Sequence, residues 1–241
     1  MTPKNRLIVA LDFPTAAAAL AHVDQLDNQI LWFKVGLELY LAAGNSIIEK
    51  LTARGHKVFL DLKLHDIPNT VASAVRTASQ TGASLLTLHA AGGPAMLTAA
   101  AEAAAQTSHA PRLLAVTVLT SMDALQLAAT GIPTPPAAQV DRLALMSIAA
   151  GITGLVCSPQ EVAHLRLTLP RETVLVVPGI RSASAPTPAA NYIDDQTRTA
   201  DAPTTITAGA SMLVVGRPIT RAQNPAQAAQ EILNQIAAAK L

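Results

Sequence analysis

The sequence predicts an α/β fold in which eight parallel strands alternate with helices and close into a (βα)8 barrel. Eight short aliphatic runs recur in regular order along the 241 residues. They lack strict alternation of polar and apolar residues, as is typical of strands buried on both faces of a parallel sheet. The segments between them are rich in alanine, the strongest helix former. Eight strand–helix pairs in about 250 residues match a TIM barrel, so we expect a single domain over 1–241.

The predicted elements follow the aliphatic runs along the chain. Strands are expected at 7–11, 30–35, 58–64, 85–88, 113–119, 154–156, 174–177 and 212–215. The clearest helical spacing falls at 15–26, 46–54, 70–81, 94–106, 139–150, 159–168 and 225–239.

The connections carry further signals. Two stretches, 120–136 and 181–204, are long enough to be functional loops after the fifth and seventh strands. Pro68 disfavours a helix before it, so Asn69 or Thr70 is expected to cap the third helix. An open doubly wound sheet is the alternative fold, but no glycine fingerprint for a dinucleotide follows the first strand.

Composition excludes several classes of partner. The 17 basic and 16 acidic residues nearly cancel, so no broad electrostatic footprint for nucleic acid or an anionic membrane is present. One Trp, two Tyr and three Phe are too few for a surface that stacks bases. Crossing a bilayer takes about 20 consecutive apolar residues, which the sequence lacks, and its first apolar run is too short for a signal peptide. We therefore expect no nucleic-acid partner and no membrane partner.

The single cysteine, Cys157, excludes an internal disulfide and a clustered thiolate metal site. Low cysteine use is typical of a reducing compartment, so we expect a cytoplasmic protein. Cys157 itself follows an aliphatic run, and we interpret it as a buried packing residue of the sixth strand.

In a barrel of this kind, the active site is built at the carboxyl ends of the strands. Polar residues follow the aliphatic runs there, namely Asp12, Lys34, Asp61, Lys63, Asp66, His89, Thr120, Ser121, Ser158, Arg181 and Arg217. Each has an ordinary alternative role, such as Asp12 as a helix cap or His89 as a packed histidine. Because many of the few charged residues fall at one rim, we expect a functional site there.

The strand at 58–64 is the most informative segment. Side chains alternate along a strand, so Phe59, Asp61 and Lys63 are expected on the face that points into the barrel. A carboxylate and an ammonium at the mouth of the barrel are costly unless they are paired or functional. A structural salt bridge is the alternative to a functional pair.

Two glycine–arginine segments follow the last two strands. They are Pro178-Gly-Ile-Arg181 and Gly216-Arg-Pro-Ile-Thr220. Glycine lets backbone N–H groups approach an anion closely, and arginine binds phosphate with two donors. The loops after strands seven and eight form the usual phosphate site of this fold. The sequence therefore predicts a small phosphorylated substrate.

Taken together, the motifs resemble those of one family. The run from Asp61 to Thr70, Asp-Leu-Lys-Leu-His-Asp-Ile-Pro-Asn-Thr, is similar to the most specific motif of the bacterial orotidine 5′-phosphate decarboxylases. Further similar segments occur in the right order nearly end to end: Ala10-Leu-Asp12, Phe33-Lys-Val-Gly36, Leu88-His-Ala90, Val116-Thr-Val-Leu-Thr-Ser121, Val156-Cys-Ser158, Pro178-Gly-Ile-Arg181, Asp195-Gln196 and Val215-Gly-Arg-Pro-Ile-Thr220.

The resemblance implies decarboxylation of orotidine 5′-monophosphate to UMP, the last step of pyrimidine nucleotide synthesis. It implies no metal and no organic cofactor, and the sequence has no His/Cys ligand spacing. Lys63 would donate the proton to C6 of the pyrimidine, and Asp61 would lie against the substrate carboxylate. Lys34 and Asp66 would complete an alternating charge array that keeps Lys63 protonated and aimed.

The resemblance also implies a homodimer with shared active sites, in which Asp66, Ile67 and Thr70 complete the site of the neighbouring subunit. The substrate-binding residues follow by the same likeness. Ribose would be held by Asp12 and Lys34, the pyrimidine edge by Thr120 and Ser121, and the phosphate by Gln196, Gly216 and Arg217, with Arg181 close to it.

The segment between Arg181 and Gln196, which the resemblance marks as a lid, is several residues longer than the usual family spacing. A metal-dependent sugar-phosphate decarboxylase or epimerase of the same barrel group is the alternative, since such enzymes share the Asp-x-Lys strand or the phosphate loop. The run Ile67-Pro-Asn-Thr70 favours the nucleotide enzyme. A non-catalytic nucleotide-binding barrel would lack Lys63 or Asp61, and both are present.

Overall fold

The computed structural model describes residues 1–26, 28–181 and 198–239. Its strands are β1 (Leu7–Ala10), β2 (Trp32–Gly36), β3 (Lys57–Leu64), β4 (Leu85–His89), β5 (Arg112–Val116), β6 (Gly154–Val156), β7 (Val174–Val177) and β8 (Met212–Val215). Each strand pairs in parallel with the next, and β8 pairs with β1, so the sheet closes into a barrel. The predicted (βα)8 barrel and all eight predicted strands are confirmed. The largest shift is at β5, which ends at Val116 instead of residue 119.

The strands are buried on both faces, which explains why their sequences do not alternate. On β1, Ile8 and Ala10 pack in a small cluster with residues of the other strands, and this cluster fills the barrel interior. Leu7 and Val9 belong to the larger cluster between the sheet and the helices. Fully burying one such aliphatic side chain contributes about 1.5–3 kcal/mol, so this double burial is the main source of stability.

Twelve α-helices surround the sheet in the described part of the chain. They are α1 (Pro3–Arg6), α2 (Ala16–Gln25), α3 (Leu37–Ala43), α4 (Asn45–Ala53), α5 (Pro68–Ala78), α6 (Gly93–Ala105), α7 (Ala124–Ala129), α8 (Pro136–Ala149), α9 (Val162–Thr168), α10 (Ala202–Thr207), α11 (Arg217–Thr220) and α12 (Pro225–Ala238), with 3-10 turns at Ala90–Gly92 and Pro159–Glu161. Among the described residues, no helix has the length and apolar character needed to cross a membrane.

The predicted cap of the third helix is wrong, and Asp12 does not have the capping role considered as its ordinary alternative. α5 begins at Pro68 with Ile67 as its N-cap, so neither Asn69 nor Thr70 caps it. Proline suits the first helical position because its ring presets the backbone and its missing N–H would have no partner there. The cap of α2 is Thr15, whose hydroxyl accepts from the backbone N–H of Ala18 at 3.2 Å.

The two predicted loops also contain short helices. α7 lies within 120–136, where Asp123 and Gln126 form a reciprocal capping box at its start. α10 begins inside the predicted loop 181–204, because Asp201 accepts from the backbone N–H of Thr204 and starts the helix. Each of these helices has six residues, too few for a helical period to be visible in the sequence.

Candidate active site

A cavity of about 470 Å³ opens at the carboxyl ends of the strands. Eight of the sequence-predicted site residues line it, namely Asp12, Lys34, Asp61, Lys63, Thr120, Arg181, Gly216 and Arg217. They come from the ends of six different strands or the loops that follow them. The rim predicted from polar residues at strand ends is therefore a real concave site.

Asp61 lies at the centre of a charge array near the end of β3. Its two carboxylate oxygens each lie 2.9 Å from Lys63 Nζ, and Oδ2 lies 3.7 Å from Lys34 Nζ. Lys34 in turn donates to Asp12 Oδ1 at 2.9 Å. Because β1, β2 and β3 are neighbours in the barrel, these charges alternate in sign across adjacent strand ends.

Asp61 remains an anion although the residue is only 8% exposed. Burial opposes its ionisation and would raise its pKa. The charges of Lys34 and Lys63, with hydrogen bonds from Lys63 and Thr87, outweigh burial, so the pKa of Asp61 lies below its ordinary value. The Asp61 charge is therefore stabilised by these neighbours, and removal of either lysine would leave it less compensated.

Gly36 leaves room for the pair between Lys34 and Asp12. A Cβ at this position would lie 2.8 Å from Lys34 Nζ and 3.4 Å from Asp12 Oδ1. The first distance is too short for a real contact, so any larger residue would displace the ammonium.

The end of β3 departs from a regular strand. Leu60 pairs with Leu86 of β4, and the next pair is Leu64 with Leu88, so the register shifts between them. Lys63 has a φ of 51°, in the left-handed region that non-glycine residues rarely adopt. Asp61 and Lys63 do meet, as predicted, but an irregular backbone brings their side chains together rather than simple alternation.

The side of the cavity that follows β7 and β8 is rich in guanidinium groups. Gly179 and Arg181 follow β7, while Gly216 and Arg217 follow β8. Arg221 also lines the cavity, one turn along from Arg217, and the sequence analysis missed it. Arg221 lies four residues after Arg217, and this spacing in the sequence is the signal that both side chains lie on the same face of a helix. Such a group of guanidiniums and glycines suits an anion such as phosphate.

The loop after β5 is held in place by a buried ion pair that sequence reasoning also missed. Arg198 donates to the carbonyl oxygens of Val118 and Leu119 at 3.3 and 3.0 Å, just before cavity-lining Thr120. Arg198 also pairs with buried Glu161. Burial raises the pKa of Glu161, although Arg198 opposes that shift. The pair connects the loops after β5 and β6 to the segment before α10.

Cys157 and His89 have the ordinary roles considered for them. Cys157 is 1% exposed, which confirms that it is buried, but it lies just after β6 and also lines the cavity. Burial strongly raises the pKa of its thiol. His89 ends β4 and packs against His65, with ring centroids 5.5 Å apart. Burial, followed by the charges of His65 and Lys63, lowers the pKa of His89.

Four of the predicted site residues that the structure describes do not line this cavity. Ser121, Asp66, Ile67 and Thr70 are exposed and do not line it. Ile67 is 67% exposed, as are several other large apolar side chains of the described residues. Gln196 and the proposed lid between it and Arg181 lie outside the described residues. Across the described ranges, no three His, Cys, Asp or Glu side chains are arranged to hold a metal ion.

One known protein family matches nearly the whole chain. The model of the orotidine 5′-phosphate decarboxylase / HUMPS family matches residues 5–232. The chain belongs to this family. The resemblance inferred from the motifs is therefore confirmed, and the match covers all eight strands of the barrel.

Relatives within the orotidine 5′-phosphate decarboxylase / HUMPS family match over nearly their full length. The orotidine 5′-phosphate decarboxylase of Halorhodospira halophila is 48% identical over 234 residues, covering 97% of each chain. That of Opitutus terrae is 46% identical over 232 residues, covering 95% of this chain and 97% of its own.

Solved structures of similar sequence have the same fold. The crystal structure of orotidine 5′-phosphate decarboxylase from Lactobacillus acidophilus superposes with a TM-score of 0.83 at 37% identity, covering 97% of this chain and 100% of the other. An uncharacterized conserved protein from Geobacillus kaustophilus gives a TM-score of 0.82 at 33% identity.

Proposed function

We propose that this protein converts orotidine 5′-monophosphate to UMP and carbon dioxide, without a cofactor, in pyrimidine nucleotide synthesis. One observation carries the proposal. Lys63 lies 2.9 Å from both oxygens of buried Asp61, inside a cavity that three arginines also line. The relatives at 46–48% identity named above, both called orotidine 5′-phosphate decarboxylase, support the same reaction.

The reaction needs a cation at one carbon atom. When the bond between C6 and the carboxylate breaks, its electron pair stays on C6, where the pyrimidine ring delocalises it poorly. An ammonium beside C6 stabilises this charge and then gives C6 its proton. Lys63 has this role in our proposal, because its side chain is held in place by Asp61 and remains partly open to the cavity.

Asp61 and Lys34 keep that ammonium oriented. Asp61 holds Lys63 through two contacts and Lys34 through one, so the charges are arranged before substrate binds. Such preorganisation avoids the cost of reorienting dipoles during the reaction. The substrate carboxylate would lie beside Asp61, and Asp66 of a second copy would add a further negative charge to the array.

The remaining residues would bind the nucleotide at its other groups. Asp12 and Lys34 would hold the ribose hydroxyls. Thr120 and Ser121 would face the pyrimidine edge. The phosphate would be bound by Gly216, Arg217 and Gln196, with Arg181 close by, and its binding would help to position the reacting ring.

We also propose that the protein is a cytoplasmic homodimer with shared sites. Asp66, Ile67 and Thr70 are exposed at the start of α5 and do not line the cavity of their own chain. In a dimer they would complete the cavity of the second copy.

The test is the loss of orotidine 5′-monophosphate absorbance with purified protein and excess chelator. Turnover unaffected by chelator supports the proposal. Turnover of a sugar phosphate that chelator abolishes would instead identify the metal-dependent alternative of the same barrel group. Nucleotide binding without any turnover would identify a non-catalytic barrel.

A further inference from the structure

Thr87 of β4 contacts Asp61 and Lys63, the two residues of β3 that belong to the charge array. Its hydroxyl donates to Asp61 Oδ1 at 2.9 Å and accepts from the backbone N–H of Lys63 at 2.9 Å. The residue is fully buried, with 0% exposure, so water does not replace either partner. Thr87 is not among the residues that line the cavity.

The irregular pairing of β3 and β4 explains why a hydroxyl is needed there. Leu60 lies opposite Leu86 and Leu64 lies opposite Leu88, so Thr87 alone faces the three β3 residues between them. A bulge removes regular ladder partners from the strand that carries the extra residues. The Thr87 hydroxyl supplies an acceptor to one of those backbone groups, the N–H of Lys63.

The backbone of Lys63 depends on that partner. Its φ of 51° is rare for a residue with a side chain, and such conformations persist only where surrounding contacts hold them. The same hydroxyl also orients the Asp61 carboxylate, whose Oδ1 accepts from Thr87 while Oδ2 faces Lys34. One side chain therefore fixes the carboxylate and the backbone that carries the ammonium.

We propose that Thr87 is a positioning residue for the decarboxylation, acting through Asp61 and Lys63 without touching substrate. The proposal rests on the proposed function for its kinetic consequences. Only a side chain that both donates and accepts fits this place, so serine preserves the role and valine abolishes it. Thr87 lies between leucines in the strand Leu-Leu-Thr-Leu-His, and only the pairing of β4 with β3 brings it to Asp61 and Lys63.

The matched control is Thr117 of the loop directly after β5. It is also a buried threonine, 4% exposed, and its hydroxyl donates to the carbonyl of Val156 at 3.2 Å. Thr117→Val therefore removes a buried hydroxyl from the barrel wall as Thr87→Val does. Its hydrogen bond goes to β6 rather than to Asp61 or Lys63.

The experiment compares Thr87→Val, Thr87→Ser and Thr117→Val in the full-length protein. We expect Thr87→Val to lower kcat for orotidine 5′-monophosphate by about tenfold or more, because a buried N–H and a carboxylate oxygen each lose a partner. KM should change by less than about threefold, because the loops that would bind phosphate and base are intact. Thr87→Ser should restore kcat, and Thr117→Val should retain it.

The pH dependence provides a readout that a merely structural role would not move. Asp61 faces Lys34 on β2, Lys63 on its own strand and His89 on β4, and all three remain in Thr87→Val. Loss of the hydroxyl should raise the pKa of Asp61, so the acid limb of kcat/KM moves to higher pH. Carbon-13 NMR of the unliganded protein measures the same Asp61 titration without any turnover.

Equal kcat and equal pH profiles for Thr87→Val and Thr117→Val would overturn the proposal, as would failure of Thr87→Ser to restore activity. If Thr87→Val does not fold, Thr87→Ala removes the same hydroxyl without adding a methyl group. If the unsubstituted protein does not turn over orotidine 5′-monophosphate, the proposed function fails. The NMR titration then still decides whether Thr87 controls Asp61.

Discussion

Lys63 donates to both carboxylate oxygens of Asp61, at 2.9 Å each, although only one residue separates the two along β3. In a regular strand, residues at this spacing point the same way and lie side by side. Here the backbone turns at Lys63, whose φ is 51°, and this turn accompanies the close pairing of the two charged groups. The site thus combines a rigid strand with a local departure from it.

Lys63→Ala should abolish turnover while leaving UMP binding within about tenfold, because the proposed proton donor acts on C6 and not on the phosphate. Loss of a general acid that also stabilises charge lowers kcat by about 10³-fold or more. Steady-state kinetics and calorimetry with UMP check both parts. Lys50→Ala, on the exposed surface of α4, is the control that removes a lysine away from the site. Near-normal turnover of Lys63→Ala would remove Lys63 from the chemistry.

Arg217→Ala should raise KM for orotidine 5′-monophosphate by one to two orders of magnitude, since a charge-assisted hydrogen bond is worth about 1.5–3 kcal/mol. The comparison that isolates this contact uses orotidine, which lacks the phosphate. With orotidine, Arg217→Ala and the unsubstituted protein should have similar kcat/KM. An unchanged KM for the phosphorylated substrate would place the phosphate elsewhere in the cavity.

Gly36→Ala should weaken nucleotide binding with little loss of stability. The new Cβ would meet Lys34 Nζ at 2.8 Å, and the end of a flexible lysine moves more easily than the surrounding barrel. Lys34 would then leave Asp12, so we expect kcat/KM to fall by about tenfold. Thermal denaturation should show a small shift in Tm. A large loss of stability with normal kinetics would contradict this account.

Arg198→Ala should lower the free energy of unfolding by about 3 kcal/mol, because it leaves Glu161 buried without its cation. The double variant Arg198→Ala/Glu161→Gln should recover part of the lost free energy of unfolding. Urea denaturation of the unsubstituted protein, Arg198→Ala, Glu161→Gln and the double variant measures the coupling energy between the two residues. Additive losses would show that the pair contributes nothing as a pair.

The loss of unfolding free energy in Arg198→Ala should depend on pH with a definite sign. The folded-state pKa of Glu161 is already raised, so the folded protein holds this proton more tightly than the unfolded chain does. A group with a raised carboxyl pKa favours folding below that pKa and opposes it as the pH rises through it. The Arg198→Ala defect should therefore be larger at about pH 8 than at about pH 5.

Mixing inactive Asp66→Ala and Lys63→Ala subunits should restore activity if each site takes Asp66 from the other subunit. One of the two sites in a mixed dimer then carries neither substitution, so about a quarter of the parental activity is expected from random mixing. Native mass spectrometry confirms that mixed dimers form. Mixed dimers without activity would count against shared sites.

The strands were predictable from sequence because each is buried on both faces, so an unbroken aliphatic run identifies it whatever its neighbours are. Polar residues at the ends of those runs identified six of the eight charged residues that line the cavity. Short helices such as α3, α7 and α10 were not predictable, since six or seven residues do not complete two turns.

The residues that sequence reasoning missed act through partners far away along the chain. Thr87 is 26 residues from Asp61 and Arg198 is 37 from Glu161, so no local pattern connects them. Arg221 became part of the cavity only when α11 placed it one turn from Arg217.

The sequence by itself determined the barrel, the family and the identity of the charged residues, because burial and motif order are properties of the chain. The tertiary structure decided the register shift between β3 and β4, the left-handed backbone at Lys63 and the hydroxyl that holds both charges. Hydrogen-bond partners across strands depend on which residues the closed sheet brings opposite each other, and that is settled only when all eight strands pair.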